Sequence, residues 1–438
     1  MTINPANFSN PIAIANGATG QATTTNAFDA LSPLTTKGDV AGYTTTNARV
    51  AVGANTTVLI ADSTQASGLN YAAAGTVTSF GITSTNLTIA STPITTSGTI
   101  TIDTPISVAG NNMLANGTLW IWQRGVRNSA SFSISASTTQ YTADRWQFSC
   151  GANQASTVSL QLGTVNNIYT LKMQRNNGQT GTGTITLAQS LTRDMCIGSA
   201  GNVVTFSLKA KCGANYSPTS SLAVISIYSG TGSTDVSQLS TGFTGATLEA
   251  TSSITLSTTV QSFSVSTGTL GASVTQLAVY VQFTPTGTAG ADDSVTVLQL
   301  QLEQSPQATK FQNKSFEQEQ LACLPFYQKS FNYNTAPAQN VGTSSGHLAF
   351  ENARAGAVTQ NSHYFGFFST MRATPTITLY NPTAANAQIN DQTAAADYTG
   401  STTATVSRGG FAVTGTSAAG SAVNGRAIFH YTADAELT

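Results

Sequence analysis

The sequence predicts an all-β chain of many short strands, on three observations. Only 8% of its 438 residues are charged, against about 25% in ordinary soluble domains. Thr, Ser, Gly, Ala and Asn stand in their place; Thr favours a pleated, half-buried surface, while Gly, Asn and Ser favour turns. The hydrophobic fraction is nonetheless 40%, too high for a chain that stays disordered for want of a core. Single cores stop growing at roughly 250–300 residues, so a chain this long implies two or more folded units.

Charge and cysteine usage narrow the function classes. The net charge is −1, from 17 basic and 18 acidic residues. No basic run is available to neutralise a row of phosphates or to hold an anionic membrane surface, so neither nucleic acid nor a polybasic anchor is expected. The apolar runs are short and broken by Thr, Ser or Gly, which predicts no membrane insertion. Met1-Thr2-Ile3-Asn4-Pro5 lacks a basic stretch followed by an apolar one, so synthesis in the cytoplasm without a signal peptide is the expectation. Cys150, Cys196, Cys212 and Cys323 form no CxxC and no zinc spacing, and read as buried or free thiols. No cofactor and no metal are expected.

Taken in order, residues 1–30 hold isolated apolar residues such as Phe8, Ile12, Ile14 and Phe28. They are too few for a core, which suits a segment that orders on docking, or else a loose terminus. Leu31-Ser32-Pro33-Leu34-Thr35-Thr36-Lys37-Gly38-Asp39-Val40 opens the next stretch. It runs through Arg49-Val50-Ala51-Val52-Gly53-Ala54-Asn55 and Val58-Leu59-Ile60-Ala61-Asp62-Ser63 to Gly68-Leu69-Asn70-Tyr71. These residues resemble the "SPLTTKGDL … RLPVG-N-GQVL-ADS … GLKW" module of tailed-bacteriophage fibre proteins. They depart from it at Thr56-Thr57, where that family prefers Gly-Gln, and at Asn70-Tyr71, where it prefers Lys-Trp. Gly75-Thr76-Val77-Thr78-Ser79-Phe80 and Pro93-Ile94-Thr95-Thr96-Ser97-Gly98-Thr99-Ile100-Thr101-Ile102 are similar to another fibre element. Strands this short and sparse, over residues 31–110, suit a connector or shaft whose core comes from side-by-side copies of the chain.

From residue 111 to 311 the chain reads as a jelly-roll β-sandwich of about eight strands. Trp120-Ile121-Trp122-Gln123-Arg124-Gly125 and Tyr141-Thr142-Ala143-Asp144-Arg145-Trp146 resemble the "IWQRG … YTADRW" opening of a phage structural jelly roll. Trp120 and Trp122, two apart, would share one strand face. They serve either as a core plug tied by Arg124 and Asp144 or as a sugar-stacking platform. Residues 204–211, 277–283 and 297–303 alternate apolar and polar, with Leu298, Leu300 and Leu302 on one face. Leu222 to Ile227 is apolar on both faces, as in a strand buried between layers. The close, Leu302-Glu303-Gln304-Ser305 through Ala308-Thr309-Lys310-Phe311, resembles the phage "QLE-GS-AT-FE" ending. Jelly rolls of this type are similar to carbohydrate-binding modules.

Residues 312–330 carry one helical linker. Ser315 and Gln318 fit a capping box, Leu321 and Leu324 share a face, and Pro325 stops the helix. Cys323 and Phe326-Tyr327 fit the phage pattern here, although Pro325 is unusual in it. Residues 331–438 read as a distal β-sandwich, in which Met371-Arg372-Ala373-Thr374-Pro375-Thr376 resembles a terminal domain of phage fibres and appendages.

Catalytic groups are scarce, and the reading is of a non-enzyme. Hydrolysis of a glycosidic bond needs two carboxyl groups about 5–9.5 Å apart, and the adjacent Asp292 and Asp293 suit a turn or a calcium site better. Arg372 fits either a strand-end salt bridge or an anion clamp. His347, His363 and His430 form no HExxH. The resemblance implies a virion protein: a homotrimeric tail fibre joined to other particle proteins through residues 1–30 and touching host surface polysaccharide distally. Its alternatives are a head, collar or baseplate appendage and, further off, a capsule depolymerase. Two ligand-contact patches follow. One is Tyr280 with Gln282, Gln299 and Gln301 on outward strand faces, if those strands lie side by side. The other is a set of tip loops with Tyr380, Asn381, Asn386, Asp391, Asp397 and Tyr398.

Overall fold

The computed structural model describes residues 32–43, 47–73, 112–126, 129–152, 154–165, 168–342 and 346–438. The expectations for residues 1–30 and for strands between 75 and 102 lie outside them. The chain divides into two compact units, Met1–Thr104 and Pro105–Thr438.

Two antiparallel hairpins make up the described part of the first unit. The first pairs β1 (Val40–Tyr43) with β2 (Asn47–Val50), and the second pairs β3 (Thr57–Ala61) with β4 (Leu69–Ala73). Their turns are tied by carboxylates. Asp39 accepts from the Thr35, Thr36 and Val52 amides and pairs with Arg49 at 2.6 Å. Asp62 accepts from Thr64 and Asn70. A two-stranded ribbon buries little, and Tyr43, Val58, Leu59 and Ile60 are all exposed.

The second unit begins with twelve strands in two six-stranded sheets: β5 (Ser131–Ile134), β6 (Thr139–Tyr141), β7 (Gln147–Cys150), β8 (Ser156–Val165), β9 (Ile168–Arg175), β10 (Ile185–Ser190), β11 (Thr205–Cys212), β12 (Leu222–Gly230), β13 (Thr247–Thr255), β14 (Gln261–Ser266), β15 (Gln276–Phe283) and β16 (Asp293–Glu303). One sheet runs β13-β12-β15-β10-β7-β6 and the other β14-β11-β16-β9-β8-β5, all antiparallel. This is the jelly-roll sandwich, with more strands than the eight expected because short edge strands extend both sheets. The alternating residues meet between the sheets: Leu277, Val279, Val281 and Phe283 from one, Phe206, Leu208 and Ala210 from the other. Two readings change. On β16 the inward set is Val295, Val297, Leu300 and Leu302, because a bulge at Gln299 (φ 53) shifts the alternation and takes Leu298 out of the core set. On β12 Ala223, Ile225 and Ile227 face the core, while Leu222 is exposed and Val224 half-buried, so that strand is one-sided.

The tryptophans do not share a face either. Residues 119–126 leave the strand geometry, with Leu119 at φ 60. Trp122 enters the core, stacks on Phe132 and donates to the Leu119 carbonyl at 2.8 Å. Trp120 lies edge-on to Tyr169 instead.

A four-residue turn of helix, α1 (Arg193–Cys196), sits within the sandwich, and α2 (Phe316–Cys323) follows it. The α2 capping box forms: the Gln318 amide donates to Ser315 Oγ, and the Ser315 amide to Gln318 Oε1. Its buried residues are Glu319 and Cys323, whereas Leu321 is exposed. The Glu319 carboxylate is buried because it accepts the Asn116 amide at 2.6 Å and the Thr118 hydroxyl at 3.2 Å.

A second sandwich closes the chain: β17 (Tyr327–Lys329), β18 (Leu348–Glu351), β19 (Thr359–Asn361), β20 (Phe365–Gly366), β21 (Thr376–Tyr380), β22 (Asn390–Asp391), β23 (Ala396–Asp397), β24 (Thr399–Ser407), β25 (Gly410–Thr416) and β26 (Arg426–Asp434). β26 pairs with β17, β18, β21 and β22, and β25 with β19, β20 and β24. Phe411, Phe429, Tyr431 and Met371 lie between them.

Buried charge joins the two sandwiches. Arg145 pairs with Glu436, places its guanidinium 3.6 Å from the Phe326 ring centre and donates to the Ser190 carbonyl. Arg124 reaches Asp434 at 3.0 Å, Glu436 at 3.5 Å and Asp144 at 4.0 Å. Burial alone would push the Arg124 guanidinium down, but these three carboxylates hold it above its ordinary value. Burial also raises the Asp144 carboxyl. Arg372 makes the strand-end bridge, to Asp235 at 3.4 Å, and spends its other donors on the Ala435 and Glu436 carbonyls. The C-terminal residues 434–438 are thereby laid along the jelly roll, with Leu437 accepting from Tyr141 and Thr438 from the Ser237 amide.

Candidate functional site

A cleft of about 430 Å³ opens on the first sheet of the jelly roll, lined by β12 and β15, by Thr184 just before β10, by Pro218 and Thr219 just before β12, and by Thr284 and Thr286 just after β15. Strand alternation dictates its chemistry. The core takes Ile185, Ala223, Ile225, Val281 and Phe283, which leaves Leu222, Val224 and Gln282 for the other face. Leu222 and Val224 offer an apolar floor. Gln282 donates to Thr186 Oγ1 at 3.0 Å, and the Thr184 and Thr284 hydroxyls lie 2.9 Å apart at the margin. No charged side chain lines the cleft.

A buried ion pair builds the rim. Arg175 and Asp293 are both 0% exposed and 3.2 Å apart. Arg175 also donates to the Gln179 carbonyl at 2.7 Å and the Gly287 carbonyl at 2.6 Å. Asp293 accepts the Ser217 amide at 2.9 Å and its hydroxyl at 2.7 Å. The Thr286 amide then donates to Ser217 Oγ at 3.2 Å. The loops at 217–219 and 284–287 are thus clamped from below by one charge pair. Tyr216 adds a brace, with its ring 5.5 Å from Phe283 and its hydroxyl on the Leu222 carbonyl.

Asp292 and Asp293, side by side in sequence, serve different cations. Asp292 takes Lys172 at 2.8 Å and Asp293 takes Arg175. Burial pushes Asp292 up, but hydrogen bonds from Lys172, Ser294 and the Ala214 amide outweigh it and hold the carboxyl below its ordinary value. Neither aspartate gathers a cation site around it, and no cluster of three His, Cys, Asp or Glu side chains suited to a metal occurs among the described residues.

The structure separates the residues expected to form the first patch. Tyr280 and Gln282 stand on β15 in one sheet, and Gln299 and Gln301 on β16 in the other. Tyr280 is covered rather than outward-facing: it is 6% exposed, tilted against Tyr228 at 4.7 Å and packed with Phe243 and Ala188. Gln301 is buried, bonded to Glu303, Thr309 and the Gln312 amide. Only Gln282 reaches the cleft. The second patch is also more closed than exposed loops would be. Tyr398 is 1% exposed and donates to Asn352, while Asn381 and Asp391 are fully buried. Tyr380 packs edge-on against Phe331, and Asp397 accepts from Asn386 and Asn390. These amide–carboxylate bonds turn residues 381–398 into an internally bonded cap. The cleft residues missed by sequence reading, Leu222, Val224, Thr184 and Thr284, carry one signal: apolar residues on both faces of a strand that turns out one-sided.

No family model matches the chain, and no curated protein matches it in sequence. Among solved structures, a protein described as CBM4 aligns at 13% identity over 43% of this chain and 98% of that one, with a TM-score of 0.26. The CBM22-1 xylan-binding domain of Xyn10C from Paenibacillus barcinonensis aligns at 13% identity over 46% and 98%, with a TM-score of 0.25. The enzymatically active domain of bacteriophage CBA120 tailspike protein 4 aligns at 8% identity over 44% of this chain and 21% of that chain, with a TM-score of 0.25. Similarity at this level carries no functional argument, and the sandwich rests on its own strand order.

Proposed function

We propose that this chain is a non-catalytic structural subunit of a tailed-bacteriophage particle, a homotrimeric tail fibre that contacts host surface glycans. The observation that carries the glycan contact is the uncharged cleft on β12 and β15. Its mix of apolar floor, threonine hydroxyls and one glutamine amide matches a neutral sugar, which offers C–H faces and hydroxyls together. A rim fixed by a buried ion pair lets such a cleft bind without first ordering its walls. The particle assignment is supported by the ordered fibre-like segments from Leu31 to Tyr380. The exposed Val58, Leu59 and Ile60 of a ribbon too thin to cover them support the trimer, in which further copies of the same chain supply the cover. In this reading residues 1–30 dock to the particle and the sandwiches project from it.

Two experiments test the reading. Antibody labelling of purified particles should place the protein on the tail, and labelling confined to the head would replace the fibre with an appendage. Particles carrying Val224→Lys, which puts a charge on the cleft floor, should adsorb to cells about tenfold more slowly, on the order of one lost sugar contact. Adsorption at the normal rate by correctly assembled particles would remove the cleft from host contact.

A further inference from the structure

The cleft of the first sheet has two sides of different chemistry. Leu222 and Val224 stand two apart on β12 and both line it, with Leu222 38% exposed. Val224 lies directly opposite Gln282 on β15. The Gln282 amide is fixed by its bond to Thr186 Oγ1 at 3.0 Å, and the exposed Thr184 and Thr284 extend that side past the strand ends. The cleft is therefore aliphatic along β12 and polar along β15. Its apolar side offers no open ring. Phe283 is the only aromatic residue lining the cleft among the described residues. It is 2% exposed, faces the core between the sheets and lies 5.5 Å from the Tyr216 ring. Without an aromatic face a pyranose has no flat surface to stack on. Branched aliphatic side chains instead form a shallow hollow whose dispersion contacts suit a methyl group.

Resting on the reading of this cleft as a glycan site, we infer that it selects a 6-deoxyhexose. The C6 methyl group seats on Leu222 and Val224, and ring hydroxyls on the opposite edge of the sugar meet Gln282, Thr184 and Thr284. Two effects favour this sugar over its parent hexose. The methyl group removes apolar surface from water on both sides of the contact. The C6 hydroxyl of the parent hexose would instead be set against two aliphatic side chains that give it no partner. An enclosed apolar pocket discriminates against one added hydroxyl by about a hundredfold. In this open cleft the preference is about tenfold, since part of the hydroxyl's hydration survives.

The test is ligand-observed NMR titration of the full chain with matched pairs of methyl glycosides: L-rhamnose with L-mannose, L-fucose with L-galactose, and D-quinovose with D-glucose. Within the best-binding pair the 6-deoxy sugar should bind about tenfold more tightly. Saturation transfer should be strongest at its C6 methyl protons. Val224→Thr keeps the side-chain shape and adds a hydroxyl, so it should cut the preference to about threefold or less with the fold retained. Val224→Lys should abolish the methyl signal. Equal or weaker binding of the 6-deoxy member in every pair overturns the proposal and leaves the glycan reading standing. A preference untouched by both substitutions also overturns it, because the methyl group would then sit elsewhere. So does N-acetylglucosamine bound as tightly as the best 6-deoxy sugar, since the floor would then accept any methyl group. If no sugar of any pair binds, the glycan reading fails and the proposal fails with it.

Discussion

The hairpins of residues 40–73 and the joint between the two sandwiches handle polar and apolar groups in opposite ways. In the hairpins, carboxylates tie exposed turns while Tyr43, Val58, Leu59 and Ile60 face outward. At the joint, Arg145 and Glu436 are sealed inside, and the apolar Phe326 ring lies against the guanidinium. The contrast separates a region that finishes its own burial from one whose apolar side chains stay exposed within the single chain. Burying a charge pair is tolerable only where both partners and their remaining donors are satisfied. At the joint this is met for the end nitrogens of Arg145, taken by Glu436 and the Ser190 carbonyl, while its buried Nε has no hydrogen-bond partner among the described residues.

The sharpest way to break the comparison is to remove one partner of a buried pair. Glu436→Ala strands Arg145 and should cost about 3–5 kcal/mol, read by denaturant unfolding of the full chain. Asp293→Ala, which strands Arg175, should cost a similar amount and also loosen the cleft rim. A cost below about 1 kcal/mol for both would mean that these pairs are solvated like surface ones.

Acid should act next. His430 is fully buried, stacked on Phe331 at 4.1 Å with Nδ1 2.9 Å from Ser330 Oγ. Burial, then the nearby His347, lowers it from 6.5 to about 4. Since the unfolded chain binds this proton first, stability is full above pH 6.5 and is lost as pH falls toward 4. His430→Phe should flatten the loss in that window, measured as unfolding midpoints from pH 7 to pH 4. A smaller effect is expected at the α2 cap, where Ser315→Ala should cost about 1 kcal/mol.

Much of this architecture was legible in the sequence for local reasons. The alternation in 204–211 and 277–283 marked strands with the correct inward set, and Ser315 with Gln318 marked the helix start. What was not legible depends on distant partners. Arg124 and Asp144 were read together, but Asp434 and Glu436 lie 310 and 312 residues beyond Arg124, and spacing carries no trace of them. The bulge at Gln299 defeated simple alternation, because one extra residue reverses every later side chain. Tyr280 and Tyr398 looked outward or loop-borne, yet the covering Phe243 loop and the Asn352 partner come from elsewhere in the fold. The cleft of the first sheet was missed because its walls, residues 217–219 and 284–287, are brought together by Arg175 and Asp293 and by direct Thr286–Ser217 bonds, none of which spacing reveals.

The claim that the N-terminal ribbon leaves its burial to other copies of the chain is tested most directly by sedimentation equilibrium of the full-length protein at micromolar concentration. A single species of three times the chain mass is predicted, shifting toward the monomer when Val58 and Ile60 are both changed to Ser. A folded monomer of the unaltered chain at that concentration would contradict it.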